Sequence, residues 1–589
     1  MAVTSANYWH GARPLDEQRS AFRLWAPDAS DVALQRPGLP PLPMQAAADG
    51  WFEVQAECPA GCLYRFTIDG RLDIPDPASR CQSDGPHGYS RVINTAAFGR
   101  RGGNWRGRPW HEAVIYELHV GAAGGYAAIR ADLPRLAKLG ITAIELMPLA
   151  ELPGGRNWGY DGVLPYAPHA GYGPPEALVA LIDDAHAHGL MVYLDVVYNH
   201  FGPDGNYLGS YASGFFRHDQ PTPWGDAIDF RRREVREFFI DNALMWLRDY
   251  RFDGLRLDAV HAIGEPDFLI ELAERIRVSI EPERHVHLML ENEDNSATLL
   301  ECGFDAQWND DGHNALHVLL TGEKEGYYAD FSEQPVAKLA RCLSEGFVYQ
   351  GERGRRGEPR GEPSAHLPPS VFVLFLQNHD QIGNRAFGER LNQLCSTDAL
   401  RAAVLLQLLC PMIPLLFMGE EWAAPEPFLF FTDHHDELAD AVCAGRRAEF
   451  AEFAAFADPA SRERIPDPNA ATTFERSRPD PARRALPEHQ AWLDYYRELL
   501  QVRHQHIAPH LPDCRSLGCE LLGERALRAH WQLGNGARLS IELNLAESPL
   551  ELTTAARGSL LQASSAAALN SPLVLAGHSA RAFLEPAHE

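Results

Sequence analysis

The stretch RFDGLRLDAVHAI, residues 251–263, is an apolar run that ends in charge. Strand alternation puts Arg256, Asp258 and Val260 on one side and Leu255, Leu257 and Ala259 on the other. Burying a charge is expensive unless it is paired or used. Two explanations stand: a structural Arg256–Asp258 ion pair, or a strand that ends in a chemical site.

The same pattern recurs on both sides. AVIYELHVG (113–121), ITAIELMPL (141–149) and LMVYLDVVYNH (190–200) precede it. HVHLMLENED (285–294), the weaker GFDAQWNDD (303–311), SVFVLFLQNHD (370–380) and IPLLFMGEEW (413–422) follow. Helical patterns fall between them, among them ADLPRLAKLG (131–140), PPEALVALIDDAHAHG (174–189), RREVREFFIDNALMWLRDY (232–250) and EPDFLIELAERIRVSI (265–280). Near-continuous Val/Ile/Leu runs alternating with helices predict a parallel sheet covered by helices. Eight such runs suit a closed (β/α)8 TIM barrel better than an open sheet. No GxGxxG follows the first strand and no Walker sequence occurs, which weakens any nucleotide-binding function.

With 589 residues, roughly two to four domains are expected, in a multidomain α/β chain. Residues 1–95 alternate in short runs broken by Pro, Gly and Asp, the pattern of an N-terminal immunoglobulin-like β-sandwich resembling a carbohydrate module. Residues 96–500 hold the barrel with its insertions; they begin with the Gly/Arg-rich connector GRRGGNWRGRPW (99–110) and include a polar loop, RGRRGEPRGEPS (353–364), able to fold over a site. Residues 501–589 return to alternation with a Gly-Asn-Gly turn, a C-terminal β-sandwich.

A net charge of −27 argues against nucleic acid or an anionic membrane as partner. The N-terminus has no basic segment followed by an apolar one, so no leader is expected. The longest apolar stretch, 402–418, contains Gln407, Pro411 and Pro414 and suits a core helix, a turn and a strand. The ten cysteines show no CxxC or Cys/His metal spacing. They are expected as small buried hydrophobes in a reducing cytoplasm, with Cys58–Cys62 and Cys514–Cys519 as the pairs open to bridging.

Polar residues gather where the strands end: Asp195, Asn199 and His200 on the third, Arg256, Asp258 and His261 on the fourth, Glu291, Glu293 and Asp294 on the fifth, His379 and Asp380 on the seventh, Glu420 and Glu421 on the eighth. C-terminal strand ends are where barrels of this type keep their sites. Asp258, Glu291 and Asp380 each close a different strand, and two facing carboxylates, one ionised and one protonated, are the minimum equipment for splitting a glycosidic bond. Arg256 beside Asp258 favours its charged form.

In order, DVVYNH, GLRLDAVHAI, LENEDN and LQNHDQIGNR resemble the four signature regions of the α-amylase superfamily, glycoside hydrolase family 13. The resemblance implies Asp258 as nucleophile, Glu291 as general acid/base and Asp380 as the carboxylate that stabilises the transition state. It implies sugar contacts from Arg256, His200 and His379, an aromatic platform in Tyr160 of NWGYDG, and further substrate contacts from Gln381 and Asn384. His261 either faces the sugar or closes its strand.

IPDPASRCQSDGPHGYSRV (74–92), TPWGDAIDF (222–230), GFDAQWNDDGHNALHVLLTGE (303–323) and 417–450 resemble, within that superfamily, the maltooligosyltrehalose trehalohydrolases. That implies hydrolysis of the α-1,4 bond beside a terminal trehalose of maltooligosyltrehalose, release of trehalose and a maltooligosaccharide, no cofactor, and a maltooligosyltrehalose synthase as a functional but not stably bound partner. Asp311 and His313 would contact the trehalose end, although Asp310-Asp311-Gly312-His313-Asn314 departs from the family's aromatic and two His at this place. Asn199 matches a calcium-ligating position of some α-amylases, but no other ligand is identifiable, so no required metal is expected. A glycogen branching enzyme, a weaker debranching activity and a non-catalytic glucan-binding protein are the alternatives.

Overall fold

Eight parallel strands close into a barrel whose order around the ring is their order in the chain. They are β1 (Ile115–Leu118), β2 (Ala143–Leu146), β3 (Met191–Val196), β4 (Gly254–Leu257), β5 (His287–Leu290), β6 (Ala306–Trp308), β7 (Phe372–Leu374) and β8 (Ile413–Phe417). Every residue of these strands is buried. The computed structural model describes residues 10–98, 104–222, 225–354 and 357–587. Residues 1–9, on which the expectation of no leader falls, 99–103 of the connector, 223–224, 355–356 of the polar loop and 588–589 lie outside the described residues.

The ring closes by β8 pairing with β1, Leu415 opposite Ile115 and Phe417 opposite Glu117. The helices between are α1 (Tyr126–Leu139), α2 (Pro175–Ala187), α3 (Arg233–Met245), α4 (Pro266–Ser279), α5 (Asp310–Thr321), α6 (Pro335–Glu345), α7 (Thr397–Leu409) and α8 (Pro487–Val502). In α2, Pro175 occupies the first turn, where its missing N–H is no loss, and Leu178, Leu181, Ile182 and Ala185 are buried on one stripe. Helix α1 starts five residues before the quoted run and carries Pro134 inside it; the buried face of Tyr126, Ile129, Leu133 and Leu136 outweighs the lost hydrogen bond. The apolar stretch 402–418 becomes most of α7, a turn and β8, and among the described residues no helix is long and apolar enough to cross a membrane.

Before the barrel, one antiparallel sheet joins Arg13–Pro14, Arg19–Trp25, Trp51–Glu57 and Gln45–Ala46. A second joins Leu42–Pro43, Val32–Gln35, Leu63–Ile68 and Leu72–Ile74, with Ser90–Arg91 added to Leu63–Ile68. After the barrel, chain that was expected to begin a β domain at 501 stays helical to His510, and strands begin at Arg515. Five of them form one antiparallel sheet in which Ala526–Gln532 and Arg538–Asn544 pair across the Gly-Asn-Gly turn. One continuous apolar core runs through all three parts, from Ala12 to Ala582.

Cys58 and Cys62 form a disulfide, so the cysteines are not all reduced as expected; the turn between Trp51–Glu57 and Leu63–Ile68 sets their Cα atoms 5.4 Å apart. Cys514 and Cys519 are free.

Candidate active site

Arg256 is the centre of the site. It lies at the C-terminal end of β4, is fully buried, and stands over the ring of Trp308 with 4.3 Å between guanidinium carbon and ring centre. Its Nη1 donates to Asp195 Oδ2 at 2.6 Å and to Asp258 Oδ1 at 2.9 Å, and its Nη2 donates to Glu291 Oε2 at 2.7 Å. A planar fork with a permanent charge can hold three carboxylates in one geometry, which an ammonium cannot. The Arg256–Asp258 pair and the strand-end site are therefore one object.

Immediately after Asp258 the chain turns sharply. Ala259 sits in the left-handed region at φ 40°, and its N–H then points at Glu291 Oε2, 2.9 Å away. Glu291 thus accepts from Arg256 and from a backbone N–H through the same oxygen, with Oε1 outside both contacts. The second oxygen of Asp258 accepts from Asn199 Nδ2 at 2.8 Å, and Asn199 also holds the Asp258 carbonyl. His200 pairs with Asn199 and reaches the Tyr160 carbonyl at 2.9 Å.

The third carboxylate enters from β7. Asp380 is the second residue of the short helix His379–Gly383 and is about a third exposed at its side chain. Asn384 donates to its Oδ1 at 3.3 Å, and His379 Nε2 lies 3.5 Å from its Oδ2. His379 is clamped between Glu117 of β1 at Nδ1 (2.5 Å) and the Tyr160 hydroxyl at Nε2 (2.7 Å). The Tyr160 and His379 rings stack at 5.1 Å, and the Tyr160 hydroxyl also meets Asp195 Oδ2 at 2.7 Å.

Tyr160, His200, Arg256, His379 and Asn384 are therefore assembled around Asp258, Glu291 and Asp380. His261 stands on the turn after Asp258, and its Nδ1 accepts from the Glu293 N–H at 3.3 Å, tying two strand ends together. Asp311 and His313, expected as substrate contacts, are fully buried. Asp311 receives Asn295 Nδ2, the N–H groups of Val348 and Tyr349, and Arg360 of the polar loop, so it pins that loop to the barrel. His313 is held by the Leu376 carbonyl and Tyr328, and Gln381 bonds to its ring. Both side chains are buried in the first turn of α5.

Several residues of the site were not singled out as site residues in the sequence, although Asp195 was seen at its strand end. Asp195 lies beneath Arg256, and burial, together with the Asp258 charge, pushes it up to about 7 against the pull of Arg256. Glu145 of β2 is fully buried, and burial plus the charges of Glu117 and Asp195 hold its carboxyl well above the usual range. Asp310, the first residue of α5, is partly buried; that burial and the nearby Glu291 charge raise it strongly. Glu117 and Glu145 had a signal: each is a charge in the middle of an otherwise apolar strand. Glu420 and Glu421 are elsewhere. Glu421 binds Arg135 at 2.9 Å and the Tyr116 hydroxyl; Glu420, pushed up to about 8 by burial, bonds to Tyr496. Among the described residues no cluster of three or more His, Cys, Asp or Glu is arranged for a metal.

Residues 103–226 match the family model of the α-amylase catalytic domain, and residues 514–581 match a domain of unknown function, DUF3459. A malto-oligosyltrehalose trehalohydrolase of Deinococcus radiodurans is 41% identical over 560 residues, which cover 91% of each chain. A crystal structure from Salmonella typhimurium, assigned provisionally as an alpha amylase, superposes with a TM-score of 0.92 at 41% identity, covering 98% of this chain and 100% of that one. A 1,4-alpha-glucan branching enzyme of Burkholderia thailandensis is 34% identical over 291 residues, covering 42% of this chain and 34% of its own.

Proposed function

Because the chain belongs to the malto-oligosyltrehalose trehalohydrolases, glycosidases of the α-amylase family, we propose that it cleaves the α-1,4 bond next to the terminal trehalose of maltooligosyltrehalose. The observation that carries this is the single guanidinium of Arg256 binding both Asp258 and Glu291, which sets the two carboxylates side by side on one buried scaffold. Adjacent carboxylates suit retention, whereas inversion needs a wider gap for water between them.

In this mechanism Asp258 attacks the anomeric carbon while Glu291 gives the proton on Oε1 to the glycosidic oxygen, and trehalose leaves. Glu291 then takes a proton from water, which attacks the same carbon and frees Asp258, so the proton count balances over the cycle. Asp380, with Asn384 on one oxygen and His379 by the other, faces the charge that develops on the sugar. The substrate would come from a maltooligosyltrehalose synthase by diffusion, in the cytoplasm.

Incubation with maltotriosyltrehalose should yield trehalose and maltotriose. New α-1,6 branches from amylose would make the protein a branching enzyme instead. Asp258→Ala should abolish trehalose release from a protein that still melts cooperatively; substantial residual activity would mean another nucleophile.

A further inference from the structure

Glu117 has no part in the chemistry above, yet it is almost fully buried and grips His379 twice. Its Oε1 lies 2.5 Å from His379 Nδ1, and its Oε2 accepts the His379 backbone N–H at 3.1 Å. On the far side of the ring, Nε2 lies 2.7 Å from the Tyr160 oxygen. A tyrosine hydroxyl has one proton to give, and Asp195 Oδ2, 2.7 Å away, is an acceptor for it. The Tyr160 oxygen then accepts from Nε2, which makes Nε2 an N–H. Nδ1 faces a carboxylate oxygen, which makes it an N–H as well. An imidazole with two N–H groups is a cation.

We propose that Glu117 is the positioning residue that keeps His379 an imidazolium, so that a fixed cation and N–H donor stands beside Asp380 where the glycosidic bond breaks. The proposal rests on the glycosidase reading for its kinetic consequence, but the charge of His379 does not.

The surroundings support it. Burial by itself would drive the proton off His379, but Asp380 and Glu117 overcome burial and take it up to about 9. The groups that bear on the ring are Glu117 from β1, Glu145 from β2, Asp195 from β3, Asp380 on its own helix, Tyr160, and the cation Arg256, with the buried His119 held down to about 4 by burial and so neutral. The pull of Asp380 and Glu117 exceeds the push of Arg256, so a positive charge on the ring is favoured between them. The sign follows: removing the Glu117 charge lowers the His379 pKa, and the neutral ring loses one of its two donors.

The test is a ¹³C-ε1 histidine NMR titration of the full chain, with the His379 signal assigned by its loss in His379→Gln, compared between wild type and Glu117→Gln. In wild type the His379 signal should stay at its imidazolium position through about pH 8, and in Glu117→Gln it should titrate at least about one unit lower. Alongside, kcat/KM for trehalose release in Glu117→Gln should fall by at least about twofold more than wild type between pH 6 and pH 8, with Glu117→Asp in between. A wild-type His379 that is neutral at pH 7 overturns the proposal, and that result is available even if the Gln variant does not fold. Unchanged titration, or a pH profile parallel to wild type, overturns it too. Failure to release trehalose would sink the functional reading while leaving the titration decisive for His379.

Discussion

Asp258 Oδ1 lies 2.9 Å from Nη1 of Arg256, two residues earlier on the same strand, and the other terminal nitrogen of that guanidinium holds Glu291. One buried side chain thus holds together the two carboxylates that the proposed mechanism uses as nucleophile and acid/base. Arg256→Lys keeps the charge but loses the fork, so kcat/KM should fall by about 10²- to 10³-fold. Arg256→Ala strands buried carboxylates and should lose about 3–5 kcal/mol of stability, read by urea unfolding. A Lys variant with near-wild-type turnover would mean that the fork does not set the geometry.

Gly383 is a steric constraint on the same site. A Cβ there would stand 2.0 Å from the Trp158 ring, whose edge-on contact with His379 spans 5.5 Å between ring centres. Gly383→Ala should cost about 1–3 kcal/mol and lower turnover by moving Trp158. Gly445→Ala, with nothing within 4 Å, is the control and should leave turnover unchanged. Equal behaviour of the two variants in melting and kinetics would refute the constraint.

Glu421 should matter to stability alone. It is fully buried at the end of β8 and bonded to Tyr116 and the partly buried Arg135, so Glu421→Ala should lose about 3–5 kcal/mol and leave KM unchanged. A large rise in KM at intact stability would place Glu421 in a subsite.

Glu323 supplies a pH dependence. Burial works to raise its carboxyl, but hydrogen bonds from His317 and Arg385 bring it down to about 2. A lowered carboxylate contributes stability that is present above its unfolded value of about 4.5 and is lost as pH falls toward 2. Because the side chain is 37% exposed, solvent screening reduces the contribution to about 1–2 kcal/mol. Urea unfolding of Glu323→Gln against wild type should show that gap at pH 6 and its closure near pH 2; a constant gap would exclude the linkage.

The barrel was legible because its signals are local. Each apolar run had the length and composition of a buried parallel strand, and even GFDAQWNDD proved to contain β6, three residues long. Asp258, Glu291 and Asp380 could be proposed from the sequence because they end such runs. The burial of Asp311 and His313 was not legible, because a polar residue at the start of a helix gives no sign of which way it faces. In the folded chain Asn295, Val348, Tyr349 and Arg360 converge on Asp311 from three other segments.

By itself, then, the sequence determined the eight-strand architecture and which strand ends carry carboxylates, since strand periodicity and chain order are written residue by residue. Only the tertiary structure decided how those ends interact. Glu117 and His379 are 262 residues apart, and their clamp exists because the ring closes β8 onto β1 and brings the end of β7 over its floor. Contacts of that kind depend on barrel closure, a property of all eight strands together and of none of them alone.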